Sequence, residues 1–177
     1  PLFYSDVFLI IPALLHLCGA SLAFSYKLTV GIASFLSAYA MIQLARHITN
    51  KKGISYIASC AYLFSNYRIT DVYVRGALGE IFAFAFLPYM LLGIYQIIYK
   101  NGSWITLTIS LTCLALSHNL TFLMASILCA ILCIISIPHL NKQKYSHIFL
   151  AVCFAFLLSF FFTIPMIEQL RSQQFIV

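Results

Sequence analysis

Charge is scarce in this sequence: ten basic and four acidic side chains among 177 residues make 8%, where an average soluble domain carries about a quarter. With 63% of its side chains apolar, the chain cannot clothe a water-soluble surface, which excludes a soluble fold and leaves the bilayer as its solvent. Chemistry-bearing patterns are equally sparse. There is no HExxH or His–carboxylate metal spacing among His16, His47, His139 and His147, no Gly-rich phosphate loop and no nucleophile elbow. None of the six cysteines forms a CxxC pair; Cys18, Cys60, Cys113, Cys129, Cys133 and Cys153 all lie in apolar segments and read as reduced packing or lipid-facing residues. Long polar runs are missing too, the longest being Arg46 to Gly53 and His139 to His147, and no repeat or low-complexity tract appears. Residues 1–177 therefore read as one membrane domain. Pro1 is not a starting Met and Val177 follows directly on a hydrophobic stretch, so the expectation is a fragment of a longer chain.

What is present is one apolar stretch after another. Crossing a hydrocarbon core of roughly 30 Å takes about 20 mostly apolar residues in a helix. Spans are expected at Leu28 to Arg46, Ile54 to Thr70, Ile81 to Tyr99, Ser103 to Ser117, Leu120 to Pro138 and His147 to Pro165. The fold class is all-α: a polytopic bundle of about six spans. The further apolar segment Asp6 to Phe24, interrupted by Pro12, His16 and Gly19, is expected to be an interfacial or kinked helix, with the interfacial form preferred. One helix over Ser103 to Pro138 would be about 54 Å long, so a turn near His118-Asn119 is required.

Arg46, Lys51, Lys52, Lys100, Lys142 and Lys144 all fall on one side of this arrangement, which makes that side cytoplasmic. The net charge of +6 is thereby explained by membrane orientation, and nucleic acid is not an expected partner. The opposite side receives Tyr67 to Glu80, the turn Ser117-His118-Asn119, and Glu168 with Arg171. The sequons at Asn101 and Asn119 are not expected to be used, the first being cytoplasmic and the second lying in a tight turn.

The stretch Tyr67 to Glu80 holds two of the four acids and two of the ten bases, a costly density beside hydrocarbon unless the groups are paired or wet. In a helix Arg68, Asp71 and Arg75 stand at i, i+3 and i+7, so one face would hold a carboxylate between two guanidinium groups. Such a face could bind phosphate bidentately, or it could be an interfacial charge cluster that only neutralises itself. Glu80 opens the next span, where the helix dipole favours a carboxylate, so capping competes with catalysis. His118 offers an imidazole and Asn119 an amide at an outward turn, suited to a sugar hydroxyl or to a plain cap. The candidate catalytic residues are Asp71, Glu80 and His118; the candidate substrate-binding residues are Arg68, Tyr73, Arg75 and Asn119; no metal ligands are assigned.

The order Pro1-Leu2-Phe3-Tyr4, Leu44-Ala45-Arg46, Arg75-Gly76-Ala77-Leu78-Gly79-Glu80, Ser117-His118-Asn119-Leu120-Thr121 resembles bacterial membrane proteins of GT-C-type glycosyltransferase architecture. More narrowly it resembles the 6-pyruvoyl-tetrahydropterin synthase-related membrane domain family, whose members share RGALGE-like and SHN-like stretches. The soluble pterin synthase has a histidine-built zinc site, and neither that histidine pattern nor a soluble fold is found here. The resemblance implies that residues 1–24 belong to a first outer loop lying along the membrane. It also implies a polyprenyl-phosphate sugar donor and a principal catalytic acid upstream of Pro1; Asp6, which follows the PLFY stretch, is a poor substitute.

The expected function is transfer of a sugar from a lipid-phosphate donor at the extracytoplasmic face, in cell-envelope glycan assembly at a bacterial inner membrane. A transporter or flippase of lipid-linked saccharides and a non-catalytic assembly subunit are the alternatives. The expected partners are the lipid bilayer and the lipid-linked donor. No cofactor is evident, and a divalent metal held with help from residues outside the sequence stays open.

Overall fold

The computed structural model describes residues 5–172, and every regular element among them is helical. A 3-10 turn (Val7–Leu9) leads into α1 (Ile10–Leu17); α2 (Leu22–Thr49), α3 (Lys52–Leu63) and α4 (Asn66–Thr70) follow. A π turn (Asp71–Arg75) precedes α5 (Leu78–Lys100), then come α6 (Ile105–Ala115), α7 (Asn119–Ile135), a 3-10 turn (Ile137–His139) and α8 (Lys142–Ser172).

Helix α5 is the centre of the bundle. It packs on α2 and α6; α3 packs on α2 and reaches α5 through Tyr62, whose hydroxyl donates to the Phe84 carbonyl, α8 packs on α6, and α7 against both α5 and α6. The core is built from Ile81, Phe82, Met90, Ile94 and Ile97 of α5 with Leu107 and Leu114 of α6. Helix α2 meets its neighbours through a stripe of small residues, Ser25, Thr29, Ala33, Ser37 and Ala40, all fully buried. Small side chains let helices approach closely in lipid, where burying apolar surface supplies no driving force between them. The buried hydroxyls are satisfied within α2 itself: Thr29 Oγ1 donates to the Ser25 carbonyl at 2.7 Å and Ser37 Oγ to that of Ala33 at 2.8 Å.

Outside, the bundle is apolar. Phe35, Ile57, Ile135, Phe149 and Phe161 are each more than 60% exposed, the surface of a protein whose solvent is hydrocarbon. Among the described residues, three helices are long and apolar enough to cross a membrane: Leu22–Thr49, Leu78–Lys100 and Lys142–Gln169. They coincide with three of the expected spans.

The other expected spans are shorter as helices. The segment from Ile54 to Thr70 breaks at Phe64 and Ser65, where extended backbone at Ser65 restarts the chain as α4. Helix α3 thus runs only about 18 Å, α6 about 16 Å and α7 about 25 Å at 1.5 Å per residue. The turn required between α6 and α7 falls at Leu116 to His118. The Asp6 to Phe24 segment also divides: apolar helix covers Val7–Leu17, about 16 Å. Gly19 at φ +95° then turns the chain into α2, which begins at Leu22 rather than Leu28 because Ser21 Oγ accepts from the Phe24 amide and caps it there.

Candidate functional site

At the end of the bundle where α2 and α5 begin, a cavity of about 790 Å³ opens between the first turns, α2 and the α6–α7 turn. Arg75, Glu80 and His118 line it, together with Asp6, Tyr26 and Ser117, and Phe8, Leu9, Pro12, Leu22 and Ala23 form an apolar wall. The two motifs RGALGE and SHN, 38 positions apart from Glu80 to His118, therefore meet in one place.

The approach depends on glycine. A Cβ on Gly79 would run into the Ser117 carbonyl oxygen, so only glycine allows the start of α5 to lie against the α6–α7 turn. Three residues earlier Gly76 ends the π turn with φ +60°; its amide bonds the Asp71 carbonyl at 2.8 Å, and its own carbonyl accepts from the Tyr26 hydroxyl at 3.3 Å.

The charges form one cluster around Arg75. Its Nη1 lies 2.8 Å from Glu80 Oε2 and 3.4 Å from Asp71 Oδ1, and donates to the Tyr67 hydroxyl at 3.1 Å. Tyr67 in turn donates to Glu80 Oε1. Both carboxyl groups are buried while the Arg75 side chain is 47% exposed, so the cation bridges the protein interior and the cavity. Nη2 and Nε of Arg75 donate no hydrogen bond to the described residues. Burial, with the Glu80 charge beside it, pushes the Asp71 carboxyl up to about 6.

Arg68 does not join this cluster. The expected arrangement of one carboxylate between two guanidiniums is replaced by one guanidinium between two carboxyl groups. The reason is the π turn, whose i→i+5 bond rotates Arg75 off the face it would share with Arg68 in an α-helix. Arg68 instead turns inward, 4% exposed, with Nη2 at 3.1 Å from Ser34 Oγ and 3.5 Å from Ser37 Oγ and its guanidinium 5.8 Å from the Phe84 ring centre.

His118 caps α7. Its Nδ1 accepts from the Thr121 amide at 3.3 Å and lies 2.8 Å from Thr121 Oγ1, which puts the proton of the neutral ring on Nε2. Burial holds its pKa below the usual histidine value. Asn119 faces α8, its Nδ2 3.0 Å from Met166 Sδ, and Tyr73 is 84% exposed; neither lines the cavity. Of the seven candidates, Arg75, Glu80 and His118 share the cavity, Asp71 lies behind Arg75, and Arg68, Tyr73 and Asn119 point elsewhere. Tyr67 and Tyr26, which carry the hydrogen bonds of the site, were not singled out by the sequence; among 11 tyrosines nothing marks them except that Tyr67 opens the charged stretch. No group of three or more His, Cys, Asp or Glu placed to hold a metal lies among the described residues.

The fold and site define a helical membrane protein with an apolar-walled, charge-lined cavity at one end of its bundle. Residues 3–174 match the model of the 6-pyruvoyl-tetrahydropterin synthase related domain, a membrane protein family, and the chain belongs to that family. No curated protein matches the chain, and no solved structure does.

Proposed function

We propose that the cavity takes the phosphate of a lipid-linked sugar donor, and that the protein is a GT-C-like glycosyltransferase acting at the extracytoplasmic face in cell-envelope glycan assembly. The observation that carries this reading is the uncommitted edge of Arg75. Its Nη1 is fixed by Asp71, Glu80 and Tyr67, while Nη2 and Nε form the fork that matches two phosphate oxygens. The wall of Phe8, Leu9, Pro12 and Leu22 suits the hydrocarbon chain that follows such a phosphate.

In this reading Asp71, Glu80 and Tyr67 position Arg75, and His118 stands in the cavity wall beside them. The bond from the sugar anomeric carbon to phosphate oxygen breaks, a bond to the acceptor oxygen forms, and the acceptor proton passes to a carboxylate base. The segments 54–70, 105–115 and 119–135 complete the crossings beside α2, α5 and α8, and Val7–Leu17 lies along the outer interface as a roof over the cavity.

Reconstituted protein supplied with radiolabelled polyprenyl-phosphate hexoses tests the reading. Transfer of label to a new product by the wild type, abolished in Arg75→Ala, is the expected result. Label that changes leaflet with no new glycosidic product would contradict transfer and identify a flippase.

A further inference from the structure

A second cavity, of about 730 Å³, lies at the opposite end of α2 and α5, between their last turns and the start of α6. We infer that it binds a phosphate-bearing anion, the headgroup of an acidic phospholipid or a free phosphate compound, through Arg46 and Lys100. This site is distinct from the outer cavity, and the inference does not depend on the reading given to that cavity.

Both cations line the cavity, and neither makes a hydrogen bond or ion pair to the described residues. No acid stands near them. Asp6 and Glu80 line the other cavity, Asp71 pairs with Arg75, and Glu168 is about 39 Å along α8 from Lys142, which starts at this end. The rest of the lining is rich in uncharged donors: Gln43, Asn50, Gln96, Ser103 and Thr106. His47 Nδ1 lies 2.8 Å from the Gln43 carbonyl and its Nε2 3.5 Å from Gln96 Nε2.

Basic residues at helix C-termini also offset the helix dipole and orient the chain in a bilayer. Lys144, at this same end, shows what that role looks like: its Nζ sits 2.6 Å from the Ile98 carbonyl and 3.0 Å from that of His139. Arg46 and Lys100 cap no carbonyl in this way. They converge instead from two different helices on one polar hollow, the arrangement by which basic pockets between membrane helices hold acidic headgroups.

Trp104, the sole tryptophan, adjoins Ser103 of the lining in the chain and serves as the fluorescence probe. The purified chain in neutral detergent is titrated with phosphatidylglycerol, with phosphatidylcholine and with inorganic phosphate, following Trp104 fluorescence and lipid retention by native mass spectrometry. Saturable binding of phosphatidylglycerol at least about tenfold tighter than phosphatidylcholine is expected, competed by inorganic phosphate and lost in Arg46→Gln/Lys100→Gln. Saturation by inorganic phosphate with no response to phosphatidylglycerol assigns the same cavity to a free phosphate compound. Lys51→Gln/Lys52→Gln removes equal charge from the same end outside the cavity and should leave binding intact. Equal loss in both double variants, or no discrimination by the wild type between the two lipids and no response to phosphate, would overturn the inference; the wild-type arm decides even if a variant does not fold.

Discussion

At Arg75 one guanidinium faces two buried carboxyl groups, so its removal strands both of them away from water. Arg75→Ala should therefore lower the midpoint of thermal unfolding in detergent, and more at pH 8 than at pH 5, where proton uptake neutralises Asp71. A loss independent of pH would mean that Arg75 does not compensate that charge. In the intact protein Asp71 carries its own signature. Its folded value of about 6 exceeds the ordinary 3.8, so between those values the folded chain holds a proton that the unfolded chain has released. The stability it contributes is complete below about pH 4 and is lost as pH rises through 6. His118, shifted the other way, contributes stability above pH 6.5 that is lost as pH falls through its lower folded value, so the two slopes oppose. Asp71→Asn isolates them: between pH 4.5 and 6.5 the melting temperature of the wild type should fall relative to that of this variant, which lacks the titrating group. Identical pH profiles for wild type and Asp71→Asn would contradict the assignment. At this scale the charged stretch Tyr67 to Glu80 was legible because ionisable groups beside hydrocarbon are costly and rare. The partners of those groups were not. Residue spacing presumes an α-helix, and the π turn at Asp71–Arg75 takes Arg75 off the face of Arg68 and leaves it to Glu80, while Arg68, in the helical turn before it, meets Ser34 and Ser37.

Among the elements, the site is assembled by the meeting of the α5 start with the α6–α7 turn. Gly79→Ala pushes a methyl into the Ser117 carbonyl and should cost roughly 1–3 kcal/mol of stability while displacing Glu80 from His118. Gly53→Ala meets nothing within 4 Å in α3 and should be neutral or stabilising by roughly 0.5–1 kcal/mol. Equal melting temperatures for the two variants would show that the close approach is not real. Hydropathy windows located α2, α5 and α8 because each holds a long apolar run. They missed the break at Phe64 and Ser65, since no proline or glycine marks it. They also placed the start of α2 six residues late, because Lys27 and Ser25 interrupt the apolar pattern although the cap is Ser21.

For the whole molecule, the two cavities lie at opposite ends of α2 and α5, one walled by apolar side chains around Arg75 and the other polar around Arg46 and Lys100. With the basic end in the cytoplasm, Tyr73→Cys should react with an impermeant maleimide in intact cells, and Lys52→Cys only after permeabilisation. The reverse pattern would put Arg75 in the cytoplasm and remove the extracytoplasmic reaction. The membrane class was readable from composition, since 63% apolar side chains admit no soluble surface, and its helical form from successive apolar stretches of about 20 residues. The cavity was not, because it arises where Val7–Leu17, α2 and two distant motifs meet, and no local pattern encodes that meeting.

The most direct measurement is the equilibrium affinity of the purified protein for a non-reactive polyprenyl-phosphate sugar analogue, compared across wild type, Arg75→Lys, Arg75→Ala and the control Tyr73→Phe, an exposed residue outside the cavity lining. Tighter binding by the wild type than by Arg75→Ala by about tenfold or more, with Arg75→Lys intermediate and Tyr73→Phe near wild type, is the expected result. Equal affinity in folded wild type and Arg75→Ala would contradict the phosphate role of Arg75 and with it the proposed function.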